Sequence, residues 1–223
     1  MNRPLSTLWE DAHGLAVAKP AGMLTQGGTV EDPSLDDLVR RHLRPDDPNS
    51  AYLGTIHRLD RPVSGVVLFA KNPKAARRWS AQFARREARK VYWAIVEGNL
   101  DALAPRGQWD DLLAPPDREG RAQVVTEDNP AGRPASTGYE VDRKSAPIEG
   151  CGRLILDPRT GRTHQLRVQL ASRGWPVLGD ATYGATRPFP RGIALHARRL
   201  EVVHPASGRT IAFEAPLPEA WPV

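Results

Sequence analysis

The chain has 223 residues, 40 % of them hydrophobic and 26 % charged, which is ordinary for a globular protein with a sizeable core. Thirty-one Lys and Arg against 26 Asp and Glu leave a net charge of +5, a modest lean toward polyanionic partners. A single cysteine, Cys151, excludes an intramolecular disulfide and any multi-cysteine metal site. No apolar run approaches the ~20 residues of a membrane span, and the N-terminus lacks the apolar core of a secretory signal, so a cytoplasmic setting is expected.

Leu15–Pro20 alternates and stops at proline, which predicts a strand. Ser34 then offers an N-cap to a helix whose apolar residues Leu35, Leu38, Val39 and Leu43 share one face. The continuous apolar run Gly65–Ala70 predicts a buried strand. Pro73 opens an amphipathic helix over 73–88, with Ala75, Ala76, Trp79 and Phe83 as its stripe. Lys90–Gly98 is β-branched and aromatic, a strand in which Trp93 is the core candidate. The Pro-, Gly- and Asp-rich stretch Asp101–Pro134 predicts hairpins and loops, with "AQVVTE" its best strand. "STGYEVDR" and "GRLILDP" predict two more strands. "HQLRVQLASRG" has helical spacing closed by Gly174, and "ALHARRLEVVHP" and "TIAFEAP" end the chain as strands around the turn "ASGR". Eight or more strands and three helices, without regular βαβα alternation, predict an α+β fold. The expected architecture is one catalytic domain over 1–223, a mixed, largely antiparallel sheet flanked by a few helices.

Charge is segregated along this chain. Seven bases between Lys74 and Lys90 face only Glu87, and five arginines between Arg153 and Arg173 face only Asp157. Asp101–Glu149 carries ten acids against six bases. A solvated helix face explains the first block as well as a nucleic-acid surface does. The second block sits in a Gly-Thr-His-Gln context that surface solubility does not explain.

Several chemistries are excluded. There is no Gly-rich phosphate loop, no G-x-G-x-x-G and no G-x-S-x-G elbow. The six histidines (His13, His42, His57, His164, His196, His204) form no H-x-x-x-H pair, so no metal site is predicted. What stands out is "HRLDRPVSGVVLFAK", His57–Lys71, where Asp60 lies between Arg58 and Arg61 just ahead of a buried strand. Neighbouring cations favour the ionised carboxylate, suited to nucleophilic or electrostatic work rather than general-acid work. A surface ion pair is the plain alternative. A second segment, "TGRTHQLRVQL", places Thr, His, Gln and two arginines at a predicted helix start, an anion-binding arrangement.

The His57–Lys71 segment resembles the aspartate motif of the RluA-type RNA pseudouridine synthases. Five further blocks resemble that family in its own order: Val17–Gly28, Lys90–Gly98, Gly132–Val141, Thr160–Gly184 and "ALHARRLEVVHP". The resemblance implies the pseudouridine synthase fold and an enzyme that isomerises uridine in structured RNA, a ribosomal or transfer RNA stem-loop. It implies Asp60 as the catalytic aspartate, Tyr92 as the base-stacking tyrosine and candidate general base, and Arg167 as the basic residue that pairs with the aspartate. Whether Asp60 attacks sugar or base, or takes a proton, stays open at this level. Arg58 and Leu166 are implied as substrate contacts, with His57, Arg162, Thr163, His164 and Gln165 beside them. Lys74, Arg77, Arg78, Arg85, Arg86, Arg89 and Lys90 are expected to grip the RNA backbone. The target uridine would have to leave its stack. No cofactor, metal, membrane or obligate protein partner is implied, and a monomer is expected.

Three departures from the family pattern stand out: Val63 for Thr, Gln169 for His and Arg133 for Lys. A separate N-terminal RNA-binding domain is not expected, since the first motif begins within 20 residues of the start. The rival readings are an inactive RNA-binding or assembly module on the same fold, and an unrelated carboxylate enzyme. A glycosidase would need a second carboxylate about 5–10 Å from the first.

Overall fold

The computed structural model describes residues 5–143, 148–219 and 221–222; residues 144–147, inside the acid-rich segment, lie outside that description. In chain order the described elements are β1 Thr7–Glu10, β2 Gly14–Lys19, α1 Leu35–Leu43, β3 Gly54–Thr55, β4 Ser64–Ala70 and α2 Pro73–Ala84. They continue as β5 Arg89–Glu97, β6 Arg106–Ala114, β7 Gln123–Val125, β8 Arg133–Val141, β9 Cys151–Pro158, α3 Gln165–Ala171, β10 Leu195–Val203 and β11 Thr210–Glu214. The fold is α+β, as expected. Its backbone forms two compact units, Met1–Arg89 with Ala197–Pro218, and Lys90–His196 with Glu219–Val223.

In the first unit β2 pairs antiparallel with both β1 and β4, and β3 covers the end of β4. β10 borders β4, and β11 pairs antiparallel with β10. All seven residues of β4 are buried, which is why its sequence is apolar without alternation. α2 lies on this sheet, with Ala75 and Trp79 packed among Ala16, Val66, Leu68, Leu200 and Phe213. Its Trp79 Nε1 and Gln82 Nε2 both donate to the Val203 carbonyl, and Gln82 Oε1 accepts the Val203 amide. The caps follow local chemistry. Ser34 and Asp37 form a reciprocal capping box on α1, and Asn72 caps α2 ahead of Pro73.

The expected helix over 73–88 stops at Ala84. The Arg86 amide bonds to the Phe83 carbonyl and the Glu87 amide to the Gln82 carbonyl, a Schellman closure with Arg86 at φ 62. This turn lets Ala88 re-enter the core cluster, which a continued helix would not allow. The basic block is therefore part helix, part turn and part strand.

The second unit has strand order β5-β9-β8-β6-β7, with antiparallel pairs throughout. α3 packs Val168 against Leu113, Ala122 and Ala135. Two expectations need correction here. The longest strand of the acid-rich stretch is β6, not "AQVVTE", of which only Gln123–Val125 is strand. Gly107, Asp110 and Asp111 disfavour β structure locally, but β6 pairs with β8 over eight registered positions and long-range pairing wins. Trp93 is half-exposed, with the Arg153 guanidinium 4.9 Å over its ring, and the buried residues of β5 are Ala94, Ile95 and Val96. The Ala194, Pro176 and Leu178 backbones bond to Ile95 and Glu97, so this end of β5 is enclosed and the alternation assumed from sequence fails.

Gly65 marks a close backbone approach in the first unit. It sits opposite Lys19 on β2, at φ 126, and a Cβ there would come within 2.3 Å of the Ala197 carbonyl oxygen. We expect Gly65→Ala to lower unfolding free energy by about 2 kcal/mol or more in urea denaturation. A loss below about 0.5 kcal/mol, the range of neutral surface changes, would mean that β4 and β10 can part there without cost.

Candidate active site

Asp60 lies on the loop that enters β4, partly exposed between buried Leu59 and exposed Arg61. The loop is held from below by the end of β2 and the turn after it. Lys19 is only 1 % exposed, and its Nζ donates to the carbonyls of Met23 at 2.7 Å, Pro20 at 3.1 Å and Arg61 at 3.2 Å. Thr25 adds a second clamp: its hydroxyl donates to the Leu59 carbonyl at 2.9 Å and accepts the Leu59 amide at 3.2 Å. The Gly22 amide bonds to the Arg61 carbonyl, and the Asp60 carbonyl accepts the Val63 amide in a tight turn. Where the family pattern has a threonine hydroxyl, Val63 contributes a buried side chain and that backbone bond.

The electrostatics differ from the reading that both flanking arginines serve Asp60. The Arg61 side chain turns to the Gly22 carbonyl and to Asp32, an exposed ion pair at 2.8 Å. Lys19 is a cation within this unit that feels the Asp60 charge. Burial pulls the Lys19 pKa down to about 7, and the Asp60 charge works against that pull. Sequence reading passed over Lys19 although it ends an apolar strand, the one available signal of a buried ammonium.

His57 was expected among the substrate contacts, but it serves the fold. Its Nε2 accepts the Leu68 amide at 3.1 Å and its ring stacks on Phe83 at 4.9 Å between centroids. The basic residues of the first unit divide similarly. Lys74, Arg77 and Arg78 are exposed on α2, and Arg78 also bonds to the Pro205 carbonyl. Arg85 forks onto Glu87, Arg86 occupies the left-handed turn, and Arg89 lies 3.9 Å from Glu201.

In the second unit Tyr92 sits on β5 opposite Leu156 of β9, half-buried. Arg167 lies on α3, 4 % exposed, and binds Asp180 through two parallel bonds, Nε to Oδ2 at 2.7 Å and Nη2 to Oδ1 at 2.9 Å. This fork fixes the guanidinium plane and neutralises a buried charge that would otherwise be costly. Asp180 was missed in the sequence, because nothing local in "LGDATYG" announces a partner thirteen residues back.

The turn ahead of α3 is built from side-chain amides and hydroxyls. Asp111 accepts from Gln169 Nε2 at 2.7 Å, and Thr137 donates to Gln169 Oε1 at 2.6 Å. Gln165 Nε2 donates to Thr137 Oγ1, while Gln165 Oε1 accepts from the Thr160 hydroxyl and the Arg162 amide. Gln165, expected to touch substrate, is thus buried and committed to the fold, and Leu166 is buried beside it. Arg162 and Thr163 are exposed; Arg162 Nε donates to the Pro134 carbonyl. His164 opens α3 in a left-handed conformation at φ 55. Lys90, expected on RNA, is mostly buried and its Nζ donates to the Thr160 carbonyl. Burial lowers its pKa, opposed by Asp157.

Lys19 gives this arrangement a pH signature. Between its folded value near 7 and the ordinary value near 10.5, the unfolded chain carries a proton that the folded chain does not. Stability from this group is therefore complete above about 10.5 and lost as pH falls through about 7. Urea titrations should show wild type gaining on Lys19→Met as pH rises across that window, by up to about 1.4 kcal/mol per pH unit. A difference that stays flat would place the Lys19 pKa at its ordinary value.

The chain is similar to known proteins over most of its length. Residues 13–172 match the RNA pseudouridylate synthase family. The dual-specificity RNA pseudouridine synthase RluA of Escherichia coli K12 is 35 % identical over 214 residues, covering 95 % of this chain and 93 % of that one. The tRNA pseudouridine synthase C of Salmonella typhi is 35 % identical, over 97 % of this chain and 87 % of that one. The solved structure of human RNA pseudouridylate synthase domain containing 1 superposes with a TM-score of 0.76 at 27 % identity, over 98 % of this chain and 85 % of that one. With the aspartate loop, the β5 tyrosine and the α3 arginine all within ordered motifs, this chain belongs to the RNA pseudouridylate synthase family, in its RluA-type branch.

Proposed function

We propose that this protein converts specific uridines in structured RNA to pseudouridine, with Asp60 as its catalytic aspartate. The observation that carries this reading is the Asp60 loop, a carboxylate on a segment clamped by Lys19 and Thr25 and anchored to the fully buried β4. A surface ion pair has no need of such support. The first unit supplies Asp60; Tyr92 and Arg167 come from the second.

The reaction breaks the C1′–N1 bond, turns the uracil and joins C5 to C1′. The proton on C5 passes to solvent and N1 gains one, so atoms and charge balance without an oxidant or reductant. Tyr92 offers a flat face for the base and a phenol oxygen to take the C5 proton. Arg167, its plane set by Asp180, offers a fixed positive charge to anionic groups of the reaction. The uridine must be unstacked, at a cost of a few kcal/mol. Exposed Lys74, Arg77, Arg78, Arg86 and Arg58 supply phosphate contacts that favour binding without reading sequence.

The substrate we propose is a stem-loop of ribosomal or transfer RNA. The relatives support both, since one is named for dual specificity, another for the ribosomal large subunit and another for tRNA. Among the described residues no helix is long and apolar enough to cross a membrane. We read the enzyme as a cytoplasmic monomer.

Tritium release from [5-³H]uridine-labelled RNA tests the activity. Wild type should release tritium, and Asp60→Asn should release none while binding RNA within a few fold. RNA binding without release by wild type would leave an RNA-binding module and end the enzyme reading. Arg167→Ala should lower turnover far more than affinity; equal losses would make it a phosphate clamp only. Replacing Lys74 and Arg77 together by Ala should weaken binding and reduce the slope of log K against log salt by about 0.7–0.9 for each phosphate no longer neutralised. An unchanged slope would remove α2 from the footprint.

A further inference from the structure

The turn Asp180–Gly184 does more than neutralise Arg167. Its Tyr183 hydroxyl accepts the Ala122 amide at 2.9 Å and lies 2.8 Å from His164 Nδ1. With the Ala122 amide on one lone pair of the phenol oxygen, the phenol O–H is available to donate to Nδ1, which then acts as an acceptor. In that arrangement the neutral imidazole carries its proton on Nε2. The same tyrosine ring lies under the Arg167 guanidinium, 4.9 Å from ring centroid to Cζ, and packs against the cluster of Leu113, Ala122, Ala135 and Val168. Asp180 holds Arg167 in plane from three residues upstream, and the Tyr183 amide closes the turn on the Asp180 carbonyl. His164 has little freedom of its own, since its left-handed backbone sets the direction of its side chain.

We propose that Tyr183 is a positioning residue for the reaction, acting through His164 and Arg167: its hydroxyl holds His164 as an Nε2–H donor and its ring supports the Arg167 guanidinium. This rests on the reading that Arg167 and His164 serve uridine isomerisation. A neutral Nε2–H donor suits a carbonyl or phosphate oxygen of the flipped nucleotide and adds no charge beside Arg167. The hydroxyl matters in this assignment, because a phenylalanine would keep the packing and the cation–π contact yet leave Nδ1 without its donor.

The tautomer of His164 in the unmutated full chain is read from long-range ¹H–¹⁵N spectra at a pH where the ring is neutral. The expected result is the Nε2–H form, and an Nδ1–H form overturns the proposal whatever any variant does. Tyr183→Phe should give mixed tautomers and a kcat lowered about tenfold, with KM for RNA within about twofold, the loss expected for one oriented hydrogen bond. Wild-type kcat in Tyr183→Phe, or kcat and RNA affinity falling together with thermal stability, overturns it too. Absence of tritium release from wild type would instead defeat the proposed activity, and the tautomer measurement would stand apart from that failure.

Discussion

The aspartate loop depends on one buried ammonium. Lys19 ends β2 with its stem inside the sheet and its three donors matched to three backbone carbonyls, two from the turn that follows it and one from Arg61. An ammonium at 1 % exposure is costly, and three carbonyl dipoles together with the Asp60 charge offset only part of that cost, so burial still pulls the pKa down to about 7. The constraint acts in both directions. Loss of the proton leaves two donors for three carbonyls, and the loop cannot move without stranding the amine. That is how a segment with no regular structure holds a carboxylate in one place.

The second unit solves a similar problem with neutral groups. Between Asp111 and the Arg162 amide, Gln169, Thr137 and Gln165 form a chain in which each partner is satisfied in one direction only. The Asp111 carboxylate sets the orientation of the Gln169 amide, which sets the Thr137 proton, which sets the Gln165 amide. Gln169 stands where the family pattern has histidine, and its two-ended amide serves as acceptor to Thr137 and donor to Asp111. The departure is thus compatible with paired amide groups at this position. Arg167, two residues before Gln169 on α3, inherits this rigidity and adds its own fork onto Asp180.

Legibility in the sequence followed the range of the forces involved. The α1 cap, the Pro73 start of α2, the wholly buried β4 and the Gly174 stop after α3 rest on chemistry within a few residues, and all were readable. β6 was not, because its aspartates and glycine argue locally against a strand and only the register with β8 decides the matter. Asp60 stood out through its motif, yet its support did not, since Lys19 lies 41 positions earlier and Thr25 bonds across 34. Nor was the destination of Arg61 readable: two arginines beside an aspartate suggest an ion pair, and the folded loop sends one of them to Asp32.

The basic block from Lys74 to Lys90 shows why charge counted along a chain overstates what RNA can use. A charge offered to phosphate must be exposed and must not already be neutralised. Arg85 is forked onto Glu87 and Lys90 is half-buried with its Nζ on a carbonyl, so neither offers a full charge to solvent. Arg86 commits its backbone to a left-handed turn but leaves its side chain exposed, and Lys74 and Arg77 stand exposed on α2. The same run of bases therefore has two roles. Part of it ends a helix and starts β5, the strand that carries Tyr92, and the rest faces outward, exposed. A sequence that optimised only RNA affinity would not place Glu87 inside the run; its presence follows from the turn that Arg85 must stabilise.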